Sequence, residues 1–320
     1  MFKSGLASEH TRVLEVGSNN GEFLNWFVNK TRNVLGVDPA KDAALIANTR
    51  GVPTLVDFFD FELAEKILET TGTFDFVAAR HMLAHNSDPH EIIRAVDKVL
   101  HEDGILYIEN AYALDTIKKG EFDQVYHEHM YYLGAQSLNH LLSKYHFEIF
   151  DTLFSEIHGG TAIFLAARKG KKQISNRVVL CMEQERQTLW DTQSFLNFKN
   201  HANHTKSSLE KTLQLELNQR NKIGLYSVPN KVFTLLSYCN LPIGMFDMIV
   251  DSSPQKIGRY FPGATRPIVD EDSIKSSDCR VFLVGAWNYA KDIKEKAPKI
   301  FHPGTKLIFP LPKLEVFTVS

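Results

Sequence analysis

Short apolar runs recur at fairly regular intervals along the first half of the sequence, and this alternation is the feature that most constrains the fold. The runs are "RVLEVG", "NVLGVDP", "FDFVAA" and "GILYIEN", and each is followed by turn residues or by a helical pattern. Such alternation indicates a parallel sheet with crossover helices. Two further runs, "FEIFDTLF" and "GTAIFLAARKG", lie on either side of "SEIHGG" and predict an antiparallel strand pair that closes the sheet.

The sequence changes character after Gly170. Residues 171–221 form a polar stretch with helical spacing and without Pro or Gly, which predicts one or two connecting helices. Strand-like runs return from Lys222 onward in "KIGLYSV", "MFDMIVD", "CRVFLVG" and "TKLIFPLP". A chain of 320 residues is long for a single core. We therefore expect an α/β domain at 1–170 and a second, smaller α/β domain at 222–320.

Charge and cysteine usage exclude several classes of function. A net charge of −2 offers no basic field for nucleic acid or for an anionic membrane surface. The cysteines Cys181, Cys239 and Cys279 lack the paired spacing of a zinc site or a disulfide framework, which favours a reducing compartment. The first residues lack the apolar core of a signal peptide, and no stretch offers the roughly 18 apolar residues of a membrane span. The sequence thus predicts a cytoplasmic protein.

The segment "VLEVGSNNGEFL" has the form of a ligand-binding turn. A buried strand ends in Glu15, and Gly17 and Gly21 then let the backbone approach a ligand without a Cβ clash. A pyrophosphate-binding dinucleotide loop looks similar, but this loop departs from G-x-G-x-x-G. Its flanking acids, Glu15 and Asp38, disfavour an anion, and Asp38 ends the next strand, where it can accept hydrogen bonds from ribose hydroxyls. A nucleoside ligand with a sulfonium and an amino-acid tail suits these charges.

This arrangement resembles the class I S-adenosylmethionine-dependent methyltransferases, which implies a Rossmann-like sheet and S-adenosyl-L-methionine as cofactor. Glu15, Gly17, Asn19 and Gly21 match the glycine-rich turn of that class, and Asp38 matches its ribose ligand.

The adenine region of the same class resembles "TLVDFFDFE" at the third predicted strand. Asp57 would reach the exocyclic amine of the base, and Phe58 or Phe59 would pack on the ring. Either phenylalanine is equally well read as a core or helix-entry residue.

The run "FDQVYHEHMYY" brings Tyr126, Glu128 and His129 together within four residues. On a helical turn, Tyr126 and His129 would share a face, with Glu128 beside them to orient an imidazole. Histidine exchanges a proton near neutral pH, so the run fits general-base chemistry. "ARHMLAHNSDPHE" adds His81 and His85 at another strand end. A metal site is the competing reading, but no H-E-x-x-H or similar spacing occurs, and we expect no metal.

Several motifs together resemble the C-methyltransferases that act on nucleotide-linked deoxy-keto sugars, such as the C-3 methyltransferases of branched-sugar biosynthesis. The matching segments are "EVGSNNGEFL", "GVDPA", "VPTLVDFF", "LAHNSDP", "EFDQVYHEHMYY", "HGGTA", "LLSYCN", "VDSSPQKIGRYFPGATRPI" and "WNYAKDI". The resemblance implies deprotonation of a carbon beside a ketone, and the enolate then attacks the donor methyl group. His129 matches the family's proposed base, with Tyr126, Glu128 and His85 in surrounding catalytic positions.

The same resemblance implies that the second domain holds the nucleotide sugar. Lys231, Arg259 and Tyr260 would serve the diphosphate and the base, because Arg makes forked phosphate contacts. Lys231 is equally well read as a solvated surface charge. His158, in "HGGTA", would contact the substrate.

Three segments depart from the family pattern. Family members usually carry a cysteine-bearing zinc module before the first methyltransferase strand. We therefore expect that this chain is a shortened variant or that the module lies on a separate partner chain. "HGGTAI" lacks the arginine of the family's "HGGS-L-R", so one substrate contact is expected to be lost. "GLYSVPNK" places Leu225, Ser227 and Val228 where G-Y-G-A is expected, and bulkier side chains would crowd a diphosphate there.

The sequence thus leads to one main hypothesis and two alternatives. The main hypothesis is an S-adenosylmethionine-dependent C-methyltransferase of a nucleotide-linked keto-deoxysugar that uses a His base. The first alternative is O- or N-methyl transfer to another small acceptor. The second is a non-catalytic methyltransferase-like binding subunit.

Overall fold

The computed structural model describes residues 8–31, 33–156 and 159–320. These residues fall into two compact units. The first unit contains the described residues up to Ala113, together with 128–156 and 160–190. The second unit contains 114–127, Gly159 and 191–320. The domain limits at 170 and 221 stay a prediction.

A seven-stranded sheet forms the centre of the first unit. Its strands are β1 (Val13–Val16), β2 (Val34–Val37), β3 (Thr54–Leu55), β4 (Phe74–Arg80), β5 (Leu100–Ala111), β6 (Phe147–Ser155) and β7 (Thr161–Arg168). The strand order is β3-β2-β1-β4-β5-β7-β6, with β1 to β5 parallel and β7 antiparallel to both of its neighbours. The predicted parallel sheet and closing antiparallel pair are confirmed, and the order is that of a class I methyltransferase Rossmann-like fold.

The helices of this unit follow the strands in alternation. They are α1 (Glu22–Val28), α2 (Lys41–Thr49), α3 (Phe61–Thr71), α4 (Pro89–Val99), α6 (Ala135–Ser143) and α7 (Asn176–Leu189), while α5 (Ala113–Lys119) begins at the boundary with the second unit. The first amide groups of a helix have no partners within the helix, and aspartate side chains accept hydrogen bonds from such amides at the start of α3 and of α4. Asp60 accepts from Leu63 N at 2.8 Å, and Asp88 accepts from His90 N at 2.9 Å.

The second unit contains a six-stranded sheet. Its strands are β8 (Ile223–Tyr226), β9 (Met248–Val250), β10 (Ile268–Val269), β11 (Val281–Val284), β12 (Lys306–Phe309) and β13 (Glu315–Thr318), in the order β10-β9-β8-β11-β12-β13. The first five are parallel, and β13 is antiparallel to β12. Strand order therefore repeats that of β1 to β5. The sequence did not predict β10, which has two residues, or β13, which is largely exposed.

The polar stretch after Gly170 forms two helices, α7 and α8 (Thr192–Asn218). Asp191 begins α8 by accepting from Gln193 N at 3.1 Å and Ser194 N at 3.0 Å. Leu209 and Leu213 on α8 are buried in the core of the second unit. That unit also contains α9 (Lys231–Tyr238) and α10 (Ala290–Ile300).

Replacement of Leu209 by Ala tests how α8 is anchored. Leu209 is 0% exposed, so the variant should lose about 2–5 kcal/mol of unfolding free energy through lost transfer energy and a residual cavity. Leu215→Ala, at a position that is 52% exposed on the same helix, is the matched control and should change stability by about 0.5 kcal/mol or less. Urea unfolding measures both variants. Equal losses would contradict the packing of α8.

Candidate active site

The turn after β1 takes a backbone path that favours glycine. Gly17 and Gly21 have φ angles of +72° and +76°, in the left-handed region. A Cβ built on Gly17 would lie 2.9 Å from Cβ of Met82, which follows β4. Because both positive φ and this close approach exclude a larger side chain, Gly17 keeps the two strand ends close together.

Asp38 organises the neighbouring strand end. It follows β2 directly and is buried. One carboxylate oxygen accepts from Asn19 N at 2.8 Å, and the other accepts from Ala40 N at 2.9 Å. These bonds fix the carboxylate at the carboxyl ends of parallel strands, where open α/β sheets bind ligands.

A cavity of about 580 Å³ opens at this edge of the first sheet. Of the residues named from the sequence, those that line it are Gly17, Asn19, Asp38, Asp57, Phe58, Phe59, His81 and His85. Phe58 is 72% exposed and so has a free aromatic face. Glu15 and Gly21 are not among the lining residues. Instead, Glu15 lies beneath the cavity wall, and a Cβ on Gly21 would press on Ala47 and Val52.

Arg80 lines the cavity and was missed by the sequence analysis. Its Nε donates to Glu109 at 2.7 Å, its Nη1 lies 3.6 Å from Glu15, and its guanidinium lies over the ring of Phe23 at 4.6 Å. The only sequence signal was its position directly after the apolar run "FDFVAA". Arg80 gives a cavity otherwise rich in carboxylates one fixed cation, which suits a ligand with both an amino and a carboxylate group.

The two carboxyl groups beside Arg80 are held in different protonation states. Burial raises the pKa of Glu15 to about 8, although Arg80 opposes the rise. Burial also acts to raise the pKa of Glu109, but hydrogen bonds from His81 and Arg80 outweigh it and lower the pKa to about 2. Glu109 is therefore the ionised partner of Arg80 at neutral pH, and Glu15 holds its proton.

His85 connects the cavity to the histidine-bearing run. Its Nδ1 lies 2.8 Å from the carbonyl oxygen of Glu128, and since a carbonyl only accepts, Nδ1 carries the proton in this bond. The His85 and His129 rings are 4.9 Å apart, centroid to centroid. Met130 N donates to Ala84 O at 2.9 Å, which ties the same two segments through their backbones. His85 lines the cavity and His129 does not, so the ring contact places His129 next to a cavity-lining residue.

The run from Tyr126 to His129 is not helical, so this part of the prediction was wrong. Phe122–Gln124 form a short 3₁₀ turn, and residues 126–128 then form an open turn. Tyr126 belongs to the second unit and Glu128 to the first. Tyr126 and His129 therefore do not share a helix face. Backbone hydrogen bonds such as Met130 N to Ala84 O stand in place of the helical hydrogen bonds that the i,i+3 spacing had suggested.

The proposed substrate residues differ in their surroundings. His158 lies outside the described residues. Arg259 and Tyr260 are exposed in the second unit. Lys231 is buried there, with Nζ 3.5 Å from Asp123 and 3.8 Å from the ring centroid of Trp287.

Within residues 8–31, 33–156 and 159–320, no group of three or more His, Cys, Asp or Glu side chains is arranged to hold a metal ion. No described helix combines the length and the apolar character needed to cross a bilayer.

Two family profiles match consecutive parts of the chain. The methyltransferase domain family matches residues 2–152, and the C-methyltransferase C-terminal domain family matches residues 156–312. The C-methyltransferase NovU of Streptomyces niveus is 28% identical over 310 residues, which cover 96% of this chain and 74% of NovU. A ubiquinone biosynthesis O-methyltransferase of Xanthomonas oryzae pv. oryzae is 31% identical over 99 residues, which cover 30% of this chain and 41% of that relative.

Solved structures resemble about half of this chain, and only weakly. The YcgJ protein of Bacillus subtilis is 16% identical, covers 53% of this chain and 97% of its own, and has a TM-score of 0.41. An S-adenosylmethionine-dependent methyltransferase of Anabaena variabilis is 13% identical, covers 52% of this chain and 80% of its own, and has a TM-score of 0.43.

The strand order, the nucleoside-type cavity and the methyltransferase-domain match together define an S-adenosylmethionine-dependent methyltransferase. Its cofactor is S-adenosyl-L-methionine. The match of residues 156–312 and the similarity to NovU over 96% of this chain are both likenesses to C-methyltransferases.

Glu15→Gln tests the protonation state of the buried carboxyl. The pKa of about 8 in the folded chain lies above the ordinary value of 4.5, so between these limits the unfolded chain releases a proton that the folded chain keeps. Wild-type stability at this site therefore falls as pH rises from about 5 to about 8. The variant escapes this loss, so its melting temperature relative to wild type should rise over that range. A difference that stays constant with pH would contradict the shift.

Proposed function

We propose that this methyltransferase transfers a methyl group to a carbon beside a ketone in a nucleotide-linked deoxysugar, with His129 as the base. The observation that carries the proposal is the contact of the His129 ring with His85, which itself lines the donor cavity. A base must come within hydrogen-bond reach of the proton that it removes. An acceptor carbon at the cavity rim beside His85 would meet both the base and the donor.

The cavity fits the donor by charge and shape. Asp38 is proposed to accept from the ribose hydroxyls, Asp57 from the adenine amine, and Phe58 to pack on the adenine ring. Arg80 faces the cavity with a fixed guanidinium and is proposed to receive the carboxylate of the amino-acid tail. The bound donor supplies an electrophilic methyl group.

His129 is proposed to take the proton from the carbon beside the ketone, and the electron pair of the broken C–H bond then moves onto the ketone oxygen. His85 holds the His129 ring by direct packing, and its Nδ1–H is engaged by the Glu128 carbonyl. Tyr126 is proposed to donate to the enolate oxygen, because such donors stabilise the charge that develops there. The electron pair of the enolate would then form the new C–CH₃ bond as the S–CH₃ bond of the donor breaks, and the donor would leave as the neutral thioether.

Acceptor recognition is proposed to lie with the second unit. Arg259 and Tyr260 are exposed, so their guanidinium and ring are open to a diphosphate and a base. Lys231 contacts Asp123 and Trp287 instead, which makes Arg259 the better diphosphate ligand. His158 and the zinc-bearing partner chain stay predictions.

His129→Gln tests the base directly. With donor omitted, the wild type should exchange the proton beside the ketone of a nucleotide-linked keto sugar for solvent deuterium, as measured by NMR. The variant should lose both this exchange and methyl transfer by about 100-fold or more, while it still binds S-adenosyl-L-methionine.

The control for this experiment is His127→Gln, because His127 is exposed in the same run. It should keep exchange and turnover. If the product carried the methyl group on oxygen or nitrogen and showed no deuterium at carbon, the reaction would be O- or N-methyl transfer, and the proposal of carbon transfer would be wrong.

Asp38→Asn tests the donor pocket. Hydrogen bonds to a charged group contribute about 1.5–3 kcal/mol, so the dissociation constant for S-adenosyl-L-methionine should rise about 10- to 100-fold. Asp42→Asn, on the exposed first turn of α2, is the matched control. Isothermal titration calorimetry measures both. Unchanged affinity in Asp38→Asn would exclude this carboxylate as a donor ligand.

A further inference from the structure

A buried charge cluster lies in the second unit, just before the histidine-bearing run. Asp123 is 0% exposed, and one of its oxygens accepts from Nε1 of Trp287 at 2.6 Å. Nζ of Lys231 lies 3.5 Å from the same oxygen and 3.8 Å from the centroid of the Trp287 ring. The carboxylate, the ammonium and the indole are thus in mutual contact.

Stability alone is a poor explanation for this cluster. The second oxygen of Asp123, Nζ of Lys231 and one oxygen of buried Glu121 have no hydrogen-bond partner among the described residues. Burial raises the pKa of Asp123 and lowers that of Lys231, so both groups bear a large desolvation penalty. Apolar residues in place of a buried ion pair often leave a protein equally or more stable. A cluster of this kind is better explained by the geometry that it imposes.

The geometry that it imposes is that of the backbone leading to Tyr126. Asp123 is the central residue of the Phe122–Gln124 turn, and all three residues of that turn are buried. Val125 N donates to Phe122 O at 3.0 Å, and Tyr126 N donates to Gln124 O at 3.2 Å. These hydrogen bonds hold the backbone between Asp123 and Tyr126 in one path.

We propose that Asp123, Lys231 and Trp287 are positioning residues that fix the backbone ahead of Tyr126 and so set the placement of Tyr126. This role rests on the proposed function, in which Tyr126 and His129 act on the substrate. In this proposal Lys231 contributes its contacts with Asp123 and Trp287, because its ammonium is directed into the cluster. A misplacement of about 1 Å at such a residue is enough to cost about 100-fold in rate.

Trp287→Phe is the sharpest test, because it removes the N–H donor to Asp123 and leaves an aromatic ring beneath Lys231. We expect kcat to fall about 10-fold or more, with the dissociation constant for S-adenosyl-L-methionine unchanged, since the donor cavity is built by other residues. Amide hydrogen exchange, followed by mass spectrometry, should rise in peptides that cover residues 121–127.

Trp190→Phe is the matched control, because Trp190 is a 76% exposed tryptophan at the end of α7. It should match the wild type in kcat and in exchange. Asp123→Asn combined with Lys231→Met is the second variant, since it removes both charges together and avoids leaving one buried alone. It should reproduce the loss of kcat and the raised exchange.

Each result decides the proposal. A lower melting temperature in Trp287→Phe with unchanged kcat per folded molecule would show a merely structural cluster and overturn the positioning role. Unchanged amide hydrogen exchange at residues 121–127 would show that the cluster does not hold this turn and would overturn the proposal. If the wild type fails to methylate keto-sugar nucleotides, the proposed function falls, and the exchange measurement still decides whether the cluster holds the turn.

Discussion

A carboxylate that accepts two backbone amides at a strand end is the constraint on which the cavity of the first unit depends. Asp38 holds the turn after β1 through Asn19 N and its own following turn through Ala40 N. The first residue after β1 is Gly17, in the left-handed region, and its N–H donates to Val37 O at 2.8 Å. Together these bonds fix where the two strand ends open, and the cavity occupies that opening.

The second unit repeats this arrangement with different residues. Asp251 follows β9 and accepts from Val228 N at 2.8 Å and Ser253 N at 2.9 Å. Ser227 has a φ angle of +60°, and its N–H donates to Val250 O at 2.7 Å. A serine thus adopts the strained backbone for which glycine is the usual choice, so the departure of "GLYSVPNK" from a glycine-rich turn changes the side chain and keeps the turn.

The two turns have similar backbones, but the charges around their carboxylates differ. In the second unit, Nζ of Lys256 donates to Asp251 at 3.1 Å and to Val228 O at 3.1 Å, so this carboxylate is offset by a cation. In the first unit Arg80 lines the same cavity as Asp38, and its guanidinium is held by Glu109 at 2.7 Å. The same strand-end geometry therefore presents a carboxylate in one unit and a neutralised pair in the other.

Local features of the sequence predicted most of the fold, whereas contacts between distant segments escaped it. Strand periodicity and the Gly17 turn depend on neighbouring residues, so they are readable along the chain. The partnership of Arg80 with Glu15 and Glu109 arises only when three parallel strands align, and no spacing encodes it. The spacing of Tyr126 and His129 misled for the opposite reason, because the backbone there follows tertiary hydrogen bonds and not helical propensity.

The contact between His85 and His129 ties the cavity wall to the histidine-bearing run. The two ring centroids are 4.9 Å apart, and Nδ1 of His85 donates to the carbonyl oxygen of Glu128 at 2.8 Å. Met130 N donates to Ala84 O at 2.9 Å, so the segments on either side of this contact are also joined through their backbones. Because His85 itself lines the cavity, a shift of residues 128–130 would change the shape of the cavity wall.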